Sequence, residues 1–173
     1  MENHDHSKMD HSGHEEGTLK DYLIFAGILL GIFLITFIYE RLWGSFSGRD
    51  FMRVFMGVFF LVFAFFKLLD LPGFVMSYIG YDVVARKFTG YAYAYPFIEL
   101  FLALGYFFSL PFINYFTVVV MAIGSIGVAR ELLRGSKIKC ACLGTYVKLP
   151  LTQVSLVEDL AMGIMALVLI FHS

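Results

Sequence analysis

The chain is poor in charge. Only 16% of its 173 residues are charged, and they fall mainly between apolar blocks. The formal net charge is -1, so the basic footprint of a nucleic-acid binder is missing and no nucleic acid is expected as partner. There are two cysteines, half of the roughly four ligands that a closed zinc site needs. No phosphate-binding loop, nucleophile elbow or H-E-x-x-H zinc signature occurs. The start lacks the basic stretch of a secretory signal: Met1 to Lys20 is acidic and His-rich, and the apolar run behind it is too long. The first helix therefore reads as a retained anchor. The strict alternation of a transmembrane β-barrel is absent as well.

What is abundant is apolar surface. Hydrophobic residues make up 59% of the chain, with 20 Phe and ten Tyr, and a soluble domain of this length could not cover them. A helix needs about 20 mostly apolar residues to cross a bilayer. Five stretches qualify: Tyr22 to Leu42, Phe51 to Leu71 (ending at Pro72-Gly73), Ala92 to Leu110, Phe112 to Leu133 after a very short turn at Pro111, and Thr152 to Phe171. The expected fold class is an all-α polytopic transmembrane bundle of about five helices. Residues 1–20 form a disordered polar tail, 21–45 an N-terminal anchor helix, and 50–173 a four-helix membrane domain.

Local markers refine this picture. Ser155-Leu156-Val157-Glu158 has the pattern of a capping box opening the last helix. Trp43 and the tyrosines 91, 93 and 95 suit the headgroup level. Gly27 with Gly31, and Gly124 with Gly127, offer close-packing faces, read as ordinary bundle packing with a homodimer as the alternative. With five helices, the tail, the second loop and the fourth loop share one face of a bacterial inner membrane. That face carries Lys8, Lys20, Arg86, Lys87, Arg130, Arg134, Lys137, Lys139 and Lys148, against Arg41, Arg49 and Arg53 opposite. The excess places the N-terminus in the cytoplasm. The fourth loop holds both cysteines, so tail and thiols lie on the same side.

Three groups of residues could carry chemistry. Cys140 and Cys142 form a C-x-C pair flanked by Lys137 and Lys139, whose charge favours thiolate. Such a pair can bind a soft ion such as Cu(I), form a strained and readily exchanged disulfide, or remain two inert thiols. The tail offers His4, His6, Met9, His11 and His14 among carboxylates, a donor set suited to copper. Finally, ionisable residues within apolar helices are costly and are functional candidates by default. Lys67, Asp70, Glu99, Arg130, Glu158 and Asp159 all belong to the membrane half nearest the cysteine loop. For Asp70, Arg130 and Glu131 interfacial pairing or snorkelling is the better reading, whereas Glu99, the deepest, is expected to face the interior with Lys67 as partner.

From about Arg53 onward the chain resembles the MauE/DoxX family of redox-associated membrane proteins. The resemblance rests on Arg53-Val54-Phe55-Met56-Gly57 leading to Lys67, on Tyr95-Pro96-Phe97-Ile98-Glu99-Leu100, and on Cys140-Ala141-Cys142-Leu143-Gly144 followed by Val154-Ser155-Leu156-Val157-Glu158-Asp159. It looks closest to a Bacteroidetes-type branch that accompanies heavy-metal-associated domains. It implies a four-helix DoxX-like core and a thiol pair serving redox or metal chemistry. MauE members are implicated in methylamine utilisation, supporting maturation of a disulfide-rich periplasmic dehydrogenase subunit. Two features depart from that pattern: Leu143 replaces an aromatic residue, and the His-rich tail is added.

Three functions follow as expectations. The first is handling of a soft, copper-like ion by the thiol pair and tail, as transporter or relay, with a heavy-metal-associated domain as partner. The second is MauE-like thiol–disulfide exchange with a thioredoxin-like partner, which would make the chain an oxidoreductase with Cys140 and Cys142 as its catalytic residues. The third is a non-catalytic assembly role among membrane proteins and lipid. No organic cofactor is inferred.

Overall fold

A computed structural model describes residues 19–43, 47–133 and 151–172, among which seven helices and no strand occur. They are α1 (Leu19–Trp43), α2 (Gly48–Leu69), α3 (Leu71–Tyr81), α4 (Val83–Lys87), α5 (Thr89–Phe107), α6 (Ile113–Leu133) and α7 (Leu151–Phe171). By length and composition, α1, α2 and α6 are able to cross a membrane. At 19 and 21 residues, α5 and α7 reach about 30 Å, a similar span. The fold is the all-α, multi-pass helical bundle expected from the five apolar runs.

Helix pairing is uneven. The broadest contacts join α6 to α7 and α2 to α5; α1 leans on α2, α3 packs on α5, and α7 also reaches α2. In lipid there is no hydrophobic drive between helices, so such pairings depend on side-chain fit. Here the fit is largely aromatic. Phe60 of α2 stacks on Tyr106 of α5 at 6.1 Å between centroids, and Phe74 and Tyr78 of α3 lie 6.2 and 4.7 Å from Tyr95 of α5. Phe59 stacks on Phe63 within α2 at 4.2 Å, and Phe74 on Tyr78 within α3 at 5.0 Å. The Tyr106 hydroxyl donates to Thr117 Oγ1 at 2.9 Å, and Thr117 in turn donates to the Ile113 carbonyl at 2.9 Å, tying α5 to α6. The opposite extreme is α1, of whose spanning segment only 11% is buried within the chain.

Several local expectations are corrected. Pro72-Gly73 does not lead out of the second helix into a loop but opens α3. A proline in the first helical turn loses no hydrogen bond, and the Asp70 carboxylate caps the turn by accepting from the Gly73 amide at 3.0 Å. Asp82 repeats the device for α4, accepting from the amides of Val84 and Ala85 at 2.9 and 2.7 Å. The segment between the second and third spans is therefore mostly helical. The last helix starts at Leu151, upstream of Ser155, so the serine lies inside α7 rather than capping it. Gly27 and Gly31 meet nothing: a β-carbon on either would have no neighbour within 4 Å among the described residues.

The short turn at Pro111 is present and tightly built. The Leu110 amide donates to the Gly105 carbonyl at 2.9 Å, and Ser109 takes the left-handed conformation at φ 53°. A β-carbon on Gly105 would stand 2.2 Å from Ile113 Cδ1, so the buried Ile113 side chain occupies the space that the glycine leaves.

Candidate functional site

The C-terminal turn of α2 carries Lys67, and the pairing of α2 with α5 sets it against Glu99. Lys67 is 5% exposed and Glu99 4%. The ammonium donates to Glu99 Oε1, making a buried ion pair. Lys67 Nζ also lies 5.0 Å from the ring centre of Tyr95 and 5.5 Å from that of Phe74. The negative ring faces thus share its charge with the carboxylate. Tyr95 was expected at the headgroups, yet it is buried, because position 95 lies on the face of α5 that carries Glu99 one turn later. Tyr93, on another face, is exposed.

The pair opens onto a cavity of about 30 Å³ in which α2, α3, α5, α6 and α7 meet. Opposite Lys67 and Glu99, α7 contributes Glu158 and Asp159 to the lining. Gly124 of α6 permits this approach: a β-carbon there would lie 2.9 Å from Asp159 Oδ2. Two carboxylate oxygens, Glu99 Oε2 and Glu158 Oε1, are buried with no hydrogen-bond partner among the described residues. Pro96 sits inside α5, three residues before Glu99. The site is thus one ammonium, three carboxyl groups and a wall of aromatic rings.

The six ionisable residues singled out in the sequence divide cleanly. Lys67, Glu99, Glu158 and Asp159 come together at the cavity. Asp70 instead serves as the N-cap of α3, and Arg130 is exposed near the end of α6. Cys140, Cys142, His4, His6, Met9, His11 and His14 lie outside the described residues. Among the described residues, no group of three His, Cys, Asp or Glu is arranged to hold a metal ion. Sequence reasoning passed over the ring faces of Phe74 and Tyr95, for which the only signal was their aromatic character. Outside the six, Glu40 is buried in α1 with Oε2 unpartnered among the described residues.

A multi-pass helical bundle with an ion pair enclosed between its spans defines the class: a polytopic membrane protein with a polar centre. The sequence model of one family, Methylamine utilisation protein MauE, matches residues 21–172, and the chain belongs to that family. The match begins at residue 21, in the first turn of α1, and so includes the helix that the motif resemblance left outside. No curated protein and no solved structure matches the chain.

Proposed function

We propose that the chain is a MauE-type maturation factor of the bacterial cytoplasmic membrane that exchanges disulfides through Cys140 and Cys142, a reading that requires the cysteine loop to face the oxidising side, against the bias of Lys and Arg. The observation that carries this reading is the family match running through all five long helices, in a chain whose only two cysteines stand two apart between α6 and α7. In the exchange, a client thiolate attacks the Cys140–Cys142 disulfide and displaces one sulfur as thiolate, forming a mixed disulfide. The client's second thiolate then displaces the other sulfur. The client leaves with a new disulfide, and the pair keeps two electrons and takes up two protons. The two reduction potentials set the direction, so a thioredoxin-like protein is a fitting partner in either sense. Trapping tests the reading: Cys142→Ser should accumulate a mixed disulfide with an exported protein, and a membrane-impermeant thiol reagent should label Cys140 in intact cells. Labelling only after permeabilisation, with no trapped adduct, would reject it.

A second reading, soft-ion handling, is favoured by the excess of Lys and Arg on the face shared by tail and thiols, which assigns that face to the reducing cytoplasm. Here Cys140 and Cys142 hold a Cu(I)-like ion, and His4, His6, Met9, His11 and His14 raise its local supply. By random-coil scaling 20 residues span on the order of 25 Å, enough to give a high effective concentration at the loop. Cu(I) titration under reducing conditions tests it. Cys140→Ser/Cys142→Ser should lose a tight site and a tail deletion only weak ones; equal binding by wild type and the double variant would exclude metal handling at the thiols.

A further inference from the structure

The cavity at Lys67 holds more acid than base. Among the described residues lining it, Lys67 is the one basic side chain, facing Glu99 of α5 and Glu158 and Asp159 of α7. The phenols of Tyr78 and Tyr95 on its walls bring no positive charge, and the buried Asp82 nearby is committed to the amides of α4. Fully ionised, the set would leave two negative charges uncompensated inside a bundle, which low-dielectric surroundings do not tolerate.

We propose that this cavity binds a water-sized monovalent cation, either an alkali ion or a proton in its place. Three observations converge on that guest. At about 30 Å³ the cavity exceeds the roughly 10–15 Å³ that one water requires, yet excludes a metabolite or a fully hydrated ion. Glu99 is 4% exposed, and while Oε1 is held by Lys67, Oε2 is without a partner among the described residues; Glu158 is only partly buried, but its Oε1 is buried and likewise without a partner among them. These are hard oxygen donors, which select hard cations over soft ones. The three carboxyl groups offer at most five oxygens beside the one held by Lys67, fewer than the six to eight that calcium takes, and the space leaves no room for the waters that magnesium keeps. The proposal rests on the cavity alone and not on the thiol chemistry.

The test uses the full chain, purified in detergent, both as wild type and as Cys140→Ser/Cys142→Ser. Its thermal unfolding midpoint is followed as NaCl or KCl replaces choline chloride at constant ionic strength. An alkali guest gives a saturable rise in both chains, and its half-saturating concentration climbs about tenfold for each pH unit downward as protons compete. A proton guest gives no alkali effect but shows the infrared carbonyl stretch of a buried carboxylic acid. Either signature should vanish in Glu158→Gln/Asp159→Asn. Should that variant fail to fold, Gly124→Ala, whose new methyl crowds Asp159 Oδ2 at 2.9 Å, should raise the half-saturating concentration several-fold or shift the acid band. Absence of both signatures in wild type, or their persistence unchanged in the variants, overturns the proposal.

Discussion

Lys67→Met removes a charge while keeping the length of the side chain, and its cost follows from what surrounds the ammonium. Glu99 Oε1 loses the donor it has, while Oε2 is already without a partner among the described residues. A 4% exposed carboxylate cannot recover hydration without opening the bundle. Breaking a buried pair from one side costs about 3–5 kcal/mol. The ring contacts change little: the two cation–π contacts are worth about 0.5–2 kcal/mol each, and a thioether against the same rings returns about 0.3–1.5 kcal/mol. The single variant should therefore lose about 3–5 kcal/mol. Lys67→Met/Glu99→Met removes both charges at similar volume, and such replacements are often neutral or better. The double variant should thus be the more stable of the two, with a coupling of about 3 kcal/mol between the sites. Unfolding in mixed detergent micelles, followed by circular dichroism, measures all four corners of the cycle. A single variant within about 1 kcal/mol of wild type, or a double variant no better than Lys67→Met, would refute the buried-pair argument.

Three further outcomes are expected. Gly105→Ala forces a methyl to within 2.2 Å of Ile113 Cδ1 at the α5–α6 turn, and overpacking of this kind should cost about 1–3 kcal/mol in the same unfolding assay. Tyr106→Phe should cost only about 0.6–1.5 kcal/mol, because Thr117 keeps its own donation to the Ile113 carbonyl when the tyrosine hydroxyl is gone. A chain shortened to begin near Thr18 should insert and elute in size-exclusion chromatography as the full chain does, since the family match starts only at residue 21 and the tail has no apolar periodicity.

The long helices were legible because bilayer thickness imposes a run length that composition alone reveals. The observed spans differ from the apolar runs by a few residues at their ends. The Lys67–Glu99 pairing was legible for a related reason: two costly groups in one membrane half have few other partners. Residues 71–87 were misread because Pro72 was weighed as a terminator, whereas the Asp70 and Asp82 carboxylates make helix starts out of the same turn-forming residues. Convergence of Glu158 and Asp159 on Lys67 was not legible. Helices apolar on nearly every face carry no stripe that fixes their rotation, so which side of α7 looks inward is decided by packing, and at Gly124 by the lack of a side chain. For the same reason Tyr95 reads as an interfacial tyrosine until α5 is turned to face α2.

Pro96 gives α5 a mechanical character that the other spans do not share. Having no N–H, it leaves the Ala92 carbonyl without the usual partner four residues on, and it does so one turn before Glu99. The helix is in effect a rod notched beside its buried carboxylate. Tilting the half that bears Glu99 against the half that bears Tyr91 and Tyr95 sacrifices no backbone bond at the notch. Elastic compliance is thereby concentrated where the ion pair meets the cavity, and the stacked rings of α2 and α3 act as the stiff frame against which that spring can flex.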